Sequence, residues 1–448
     1  MKLSFYGGAK SVTGANYLLE SGNVKILIDC GLRQGSGFCE LGNWDEFSYN
    51  PKEIAAVFVT HSHIDHIGRL PKLYKEGFRG EVYSTPPTRD FAEVMLLDSD
   101  NILEQESKRC KKPSIYNQED VYNLVRLWKT VEYHRTIEVG PFKITFYNAG
   151  HILGSAFILI EAEGKKIVFS GDLGNSPAPI IGDKDNLPET DYCLIESTYG
   201  GRIHEDLPKR KELIEDIIEE TAKKGGVLMI PAFAMERTQD LLYEIDSLVE
   251  NGRIPSVPVF LDSPLAIKLT EIYKTHDKYF IPEAREHLMK EGHIFKFKGL
   301  KMTMRTEESI AINDVPAPKV IIAGSGMMHG GRILHHVKRY LSDNKSTLLI
   351  VGYQGKGSLG RRILDGESIV KIHREEVQVK ARIEAIGGYS AHADQPQLID
   401  WLRQMRKRLK KVFTVQGEED QANALINKIQ DELAIEAELP EPNQEMML

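Results

Sequence analysis

Thr60-His61-Ser62-His63-Ile64-Asp65-His66-Ile67-Gly68 sets three imidazoles and a carboxylate within six residues. It directly follows the apolar run Ala55-Ala56-Val57-Phe58-Val59, which is short and partly β-branched and suits a buried strand better than a helix. Ile67-Gly68-Arg69-Leu70-Pro71 then reads as a turn entering a helix. The cluster therefore sits at the carboxyl end of a strand, where α/β folds carry their chemistry. On extended backbone, His61 and His63 can present nitrogens to one ion. Asp65 and His66, beyond the bend, can serve a neighbouring ion. Imidazole and carboxylate without thiolate suit zinc, or a harder ion such as manganese. With fourteen histidines in 448 residues, this density argues against a chance surface cluster.

The same arrangement recurs along the chain: a strand, then an acid or histidine, with glycine close by. Residues 24–28 run into Asp29-Cys30-Gly31, and 142–148 into Ala149-Gly150-His151. Residues 165–170 run into Gly171-Asp172, and 192–195 into Glu196. His151 is a candidate third imidazole, and a carboxylate placed like Asp172 can give one oxygen to each of two ions. Any one of these positions could be a plain turn residue. Five together make a site.

Bulk properties exclude little. The formal net charge of −8 is the wrong sign for a surface that attracts nucleic acid as a whole. Local basic runs occur at Lys209-Arg210-Lys211, Arg361-Arg362 and Arg406-Lys407-Arg408-Leu409-Lys410-Lys411, the last reading as a solvated face at a helix C-terminus. No apolar run approaches the roughly 20 residues that span a bilayer, and Met1 to Gly8 lacks a signal-peptide core. Cys30, Cys39, Cys110 and Cys193 are scattered without zinc-finger or disulfide spacing. These features set the expectation of a cytoplasmic chain with no membrane partner and reduced thiols.

The succession Asp29, His61-Ser62-His63-Ile64-Asp65-His66, His151 and Asp172 resembles the metallo-β-lactamase superfamily. Glu196-Ser197-Thr198-Tyr199-Gly200 and the later Tyr389-Ser390-Ala391-His392-Ala393-Asp394 narrow the resemblance to its β-CASP nuclease branch. The chain is most similar to compact prokaryotic homologues of the endonuclease subunit of the mRNA 3′-end cleavage complex. The resemblance runs from Leu3 to about Leu433. It implies an α/β fold: a metallo-β-lactamase αββα sandwich over 1–202 and 376–448, interrupted by an inserted α/β β-CASP domain over 203–375. Strand–helix alternation from residue 207 onward fits such an insert.

The resemblance further implies a metal-dependent ribonuclease with two zinc ions per chain, manganese being the alternative at the second. His61, His63, His151 and Asp172 are expected at one ion and Asp65, His66 and Asp172 at the other. Asp65, Glu196 and His392 are the expected catalytic residues. His392 would donate a proton to the leaving oxygen while Glu196 accepts its other N–H. Asp29 would orient the histidine cluster from outside the ligand set. Ser325 and Gly326, in a Gly-rich turn between strand and helix, could contact a substrate phosphate through backbone N–H groups, the alternative being a tight turn. Arg237 could reach a phosphate or form an ion pair at a helix start. His329, His335 and His336 lack acid partners at ligand spacing and read as structural. Single-stranded RNA is the expected partner, cut internally and with 5′–3′ trimming as a further mode. A homodimer is also implied.

One position departs from the family. Where RNA-cleaving relatives carry a histidine completing the second ion's shell, this chain reads Val415-Gln416-Gly417. DNA-processing relatives tend to have valine there. A glutamine carbonyl can ligate, but it is a neutral oxygen and a poorer zinc ligand than imidazole. Gln416 therefore keeps three alternatives in view: a DNA-directed nuclease, a catalytically silent RNA-binding partner, and a small-ester hydrolase of the same fold.

Overall fold

The computed structural model describes residues 1–35, 37–186, 189–204, 209–355 and 357–448. The chain forms two compact units. The first comprises Met1–Ala178, Gly182–Ile203 and His392–Leu448, and the second Pro179–Ile181 and His204–Ala391.

In the first unit, Lys2–Gly7, Asn16–Ser21 and Val24–Ile28 pair as an antiparallel meander. Ile54–Phe58, Glu81–Ser84 and Trp128–Thr130 extend the sheet in parallel, and Glu445–Met447 closes the opposite edge. A second sheet runs in the order Glu436–Glu438, Lys411–Val415, Tyr192–Glu196, Lys165–Phe169, Ala156–Ala162, Phe142–Asn148, Thr136–Val139. Alternate residues explain the layering, because successive side chains of a strand face opposite ways. Leu19, Ile26, Ile28 and Phe58 of the first sheet share one buried cluster with Phe146, Ile158, Ile160 and Phe169 of the second. The neighbours Leu18, Leu27, Val57 and Val82 pack instead with Leu73, Phe91-flanking Ala92 and Leu96 of the helices outside the first sheet. Leu159, Val168 and Ile195 pack with Leu398, Trp401 and Leu425 of the helices outside the second. The unit is an αββα sandwich.

Two expectations need correction. Residues 118–129 read locally as one helix, but the helix ends at Val125 and Trp128–Thr130 is a strand. Trp128 pairs with Val82, and its indole N–H donates to Ser84 Oγ at 2.8 Å, so tertiary pairing overrides local helix pattern. Cys39 and Cys110 form a disulfide with a Cα–Cα separation of 5.4 Å, although they lie 71 residues apart in sequence. Cys30 and Cys193 are buried thiols. The second compact unit also takes in residues 376–391. Glu375–Gln378 pairs with Ile369–Ile372, and Arg382–Ala385 pairs with Thr347–Ile350, which keeps the chain in that unit past residue 375.

The second unit is built on a parallel sheet ordered Leu300–Met302, Val259–Leu261, Lys319–Ala323, Val227–Pro231, Thr347–Ile350, Arg382–Ala385. Its inner strands Val227–Pro231, Lys319–Ala323 and Thr347–Ile350 are buried, largely apolar runs, as expected of a parallel sheet covered on its faces. Residues 206–224 read from sequence as a helix; it is seen as Arg210–Lys223, and residues 205–208 lie outside the described residues. The helix Pro282–Glu291 was not anticipated. Among the described residues, no helix is long and apolar enough to cross a membrane.

Candidate metal centre

The strand Ile54–Phe58 delivers the chain to Thr60 and His61, and His63 caps the short helix Ile64–Ile67. Extended backbone up to His63 followed by a helical turn brings the side chains to the sandwich rim. Strand ends of the second sheet supply the rest: Asp172 follows Lys165–Phe169, and Glu196 ends Tyr192–Glu196. His151 lies in the turn between Phe142–Asn148 and Ala156–Ala162.

Four of these side chains converge. His63 Nδ1 lies 3.0 Å from His61 Nε2 and 3.2 Å from His151 Nε2. Both Nε2 atoms lie 3.4 Å from Asp172 Oδ2. Three ring nitrogens this close cannot all be satisfied by one bridging proton. They suit a cation, since a tetrahedral ion with bonds of about 2.1 Å needs donors about 3.4 Å apart. Burial, reinforced by the neighbouring His61, holds His63 well below the ordinary histidine range. Burial and His392 do the same for His151. Both rings are thus kept neutral, the form that ligates. The donor set fits a metal.

Asp172 divides its oxygens. Oδ2 faces His61 and His151, while Oδ1 lies 3.3 Å from His66 Nε2. Burial alone would raise this carboxyl, but His66 and His61 outweigh it and hold it well below the usual range. Behind His66 stands Asp29, whose Oδ2 lies 2.7 Å from His66 Nδ1. Asp29 also accepts from the Thr60 backbone N–H and hydroxyl, both at 2.8 Å. Thr60 Oγ1 lies 3.1 Å from His61 Nδ1. Thr60 thus ties Asp29 to two histidines, a role the sequence reading missed because a threonine ending a strand is common. Asp65 is more loosely placed, with Oδ2 4.0 Å from His66 Nε2. Its carboxyl is raised by burial, and Asp172 adds to the effect.

His392 pairs with Glu196. Its Nδ1 lies 3.0 Å from Glu196 Oε2, and Glu196 Oε1 also accepts from the Leu173 backbone N–H at 2.6 Å. Glu196 is fully buried. Burial opposes charge on His392, but Glu196 outweighs it and the imidazole is pushed up to about 9. The His392 and His151 rings lie 4.7 Å apart, and His392 Nδ1 is 3.9 Å from Asp172 Oδ2. The pair therefore borders the four-donor group.

Gln416 is buried at φ 50, with its backbone N–H donating to the Gly8 carbonyl. Its Nε2 lies 2.7 Å from His66 Nε2 and 3.0 Å from Asp172 Oδ1, and Tyr17 donates to its Oε1 at 3.4 Å. Neither Tyr17 nor this amide geometry was legible in the sequence.

The remaining named residues belong to the second unit. Ser325 closes its own turn: its N–H and hydroxyl both lie 3.2 Å from the Gly330 carbonyl. A Cβ at Gly326 would come within 2.6 Å of the Phe233 ring, which explains the glycine without a ligand. Arg237 is buried, with Nη1 2.8 Å from Asp240 Oδ2. His336 Nε2 lies 2.7 Å from Asp262 Oδ2, and His335 stacks near His373 with ring centroids 4.9 Å apart.

Comparison with known proteins accords with this geometry. The profile described as a metallo-beta-lactamase superfamily domain matches residues 18–177. A Beta-Casp domain matches 238–363, and a Zn-dependent metallo-hydrolase RNA specificity domain matches 376–440. Ribonuclease TTHA0252 of Thermus thermophilus is 39% identical over 95% of both chains. The transcription termination factor FttA of Methanosarcina mazei is 32% identical over 97% of this chain and 70% of its own length. An RNase J-like protein of Methanocaldococcus jannaschii is 31% identical, covering 98% of this chain and 97% of that one. A crystal structure of a protein of unknown function from Enterococcus faecalis V583 matches 100% of this chain and 99% of that one, with a TM-score of 0.59 and 12% identity, a likeness of fold alone. The sandwich, the rim of histidines and acids and these relatives together show that the chain belongs to the β-CASP branch of the metallo-β-lactamase superfamily, a family of metal-dependent hydrolases.

Proposed function

We propose that the chain is a metal-dependent ribonuclease hydrolysing phosphodiester bonds of single-stranded RNA, by internal cleavage and with 5′–3′ trimming as a further mode, in RNA processing or decay. The carrying observation is the convergence of His61, His63, His151 and Asp172 beside the Glu196–His392 pair. The relatives' names support RNA as the polymer, since they include a ribonuclease and an RNase J-like protein.

In this reading His61, His63, His151 and Asp172 hold one zinc ion. Asp65, His66 and Asp172 hold a second, with Gln416 alongside and manganese as the alternative there. A metal bound here supplies Lewis-acid charge for a phosphate oxygen and lowers the pKa of a water toward neutrality. The chain's own residues do the rest. Asp29 fixes His66 through Nδ1, so that Nε2 faces Asp172. Glu196 holds His392 through Nδ1, and His392 delivers a proton from its other nitrogen to the departing oxygen. Asp172, with one oxygen toward each histidine group, keeps the two halves of the site in register. The family resemblance extends the reading to a homodimer; the cytoplasmic setting rested on the cysteine pattern, and the Cys39–Cys110 disulfide removes that support.

The test is incubation of the purified chain with end-labelled single-stranded RNA and matched DNA, in zinc, manganese or chelator, beside His63→Ala. Chelator-sensitive cleavage of RNA that disappears in the variant is the expected result. Cleavage of DNA in preference to RNA would overturn the substrate assignment. Cleavage of neither polymer would make the chain a silent partner, the alternative that Gln416 favours by standing where a histidine ligand is otherwise found.

A further inference from the structure

Outside the rim site, one group of side chains in the second unit has ligand geometry and no role in RNA hydrolysis. Asp246 and Glu250 lie four residues apart on the helix Arg237–Glu250, and His287 lies on the helix Pro282–Glu291. Each offers an atom such that all three fall within 4.8 Å of one another. The i, i+4 spacing puts both carboxylates on one helical face, where like charges repel. His287 Nε2 is 3.5 Å from Asp246 Oδ2, and its Nδ1 is 3.9 Å from Glu250 Oε2.

Asp246 makes this more than an acidic patch. Its side chain is fully buried, and neither carboxylate oxygen accepts a hydrogen bond from any described residue. His287 Nε2, directed at it, likewise lacks a hydrogen-bond partner among the described residues. A buried carboxylate left without donors is costly unless something positive reaches it. The His287 contacts, at 3.5 Å to Asp246 and 3.9 Å to Glu250, are long for hydrogen bonds. A cation drawn between the three atoms would satisfy the Asp246 oxygen, the His287 nitrogen and the Glu250 carboxylate at once.

We propose that Asp246, Glu250 and His287 form a divalent metal site that staples the helices Arg237–Glu250 and Pro282–Glu291 together. One imidazole and two carboxylates select a borderline or hard ion, zinc or manganese, over copper(I). Glu250 is about one-third exposed, so water reaches that side and completes the coordination.

The full-length chain, stripped with chelator and dialysed against buffered zinc or manganese, is assayed for bound metal by elemental mass spectrometry. Glu250→Gln and His287→Gln are treated in parallel, with circular dichroism as the check on folding. The wild-type chain is expected to retain one more ion than either variant. Its melting temperature is expected to rise on metal addition by an increment that both variants lose. Equal metal content in the wild-type chain and in Glu250→Gln, the more conservative and more exposed change, overturns the proposal. An equal melting increment with unequal metal content overturns the staple.

Discussion

Gln416 places its side-chain amide nitrogen 2.7 Å from His66 Nε2 and 3.0 Å from Asp172 Oδ1. A neutral amide thus stands against the two atoms expected to share the second ion. Tyr17 holds its oxygen and the Gly8 carbonyl its backbone. Replacing this group with imidazole should convert a competitor into a ligand. Gln416→His is expected to tighten second-ion binding on the order of tenfold or more, the scale at which residues around a metal act. Calorimetric titration of the stripped chain reads this directly, and unchanged affinity would remove position 416 from the centre.

The Glu196–His392 pair predicts a different signature. His392→Ala should lower RNA cleavage on the order of 10²- to 10⁴-fold while leaving metal content intact, because general acid catalysis contributes on that scale. Glu196→Gln keeps the shape but removes the charge that holds the ring, and should lose less. Turnover and metal content measured on the same samples separate a proton donor from a ligand.

Asp29 touches Thr60 and His66 but reaches none of the four converging donors. Asp29→Asn should therefore weaken metal binding about 10- to 100-fold through loss of orientation, with the fold retained. Thr60→Val should do the same more mildly. Competition against a chromophoric chelator measures both.

Gly31 shows how closely the chain must pass itself to build the rim. A Cβ there would lie 1.5 Å from the Asp65 carbonyl oxygen, which is backbone and cannot swing aside. Gly31→Ala is expected to cost at least about 2 kcal/mol of stability by overpacking. Thermal melting and metal content should fall together.

Asp262 gives the pH dependence of the second unit. Burial opposes its charge, but hydrogen bonds from His336, Ser309, Thr303 and Arg332 outweigh it and hold the carboxyl well below the usual range. An unfolded aspartate takes up its proton near pH 4, while the folded one does not. Its contribution is therefore present above about pH 4 and is lost as the pH falls toward the folded value. Asp262→Asn should start less stable at pH 7 and show a flatter decline between pH 5 and pH 3, followed by circular dichroism melts.

What was legible in the sequence was what chemistry restricts. His61, His63, His151 and Asp172 stood out because few reasons exist to end successive strands in imidazole and carboxylate beside glycine. Thr60 and Tyr17 were silent, since hydroxyl side chains are ordinary in strands and only three-dimensional contact gives them a task. Trp128 was misread because its helix-like surroundings say nothing of its pairing with Val82. The Cys39–Cys110 bridge was missed for the same reason, its partners meeting only after 71 intervening residues have folded. Residues 376–391 follow their strand partners in the second unit, and strand pairing is not written in local composition.

The rim draws Asp29 and His61 to His66 from one sheet of the sandwich and His151, Asp172 and Glu196 from the other. Its donors thus close across a seam, filled by residues such as Phe58, Phe146 and Phe169. Because close-packed interiors transmit strain, a small shift in that filling is expected to alter the spacing of the donors before it unfolds the sandwich. Metal affinity is then expected to report on strain in the core. Conservative repacking of phenylalanines that touch neither ion nor RNA will register first as drifting metal occupancy, with the melting curve still intact.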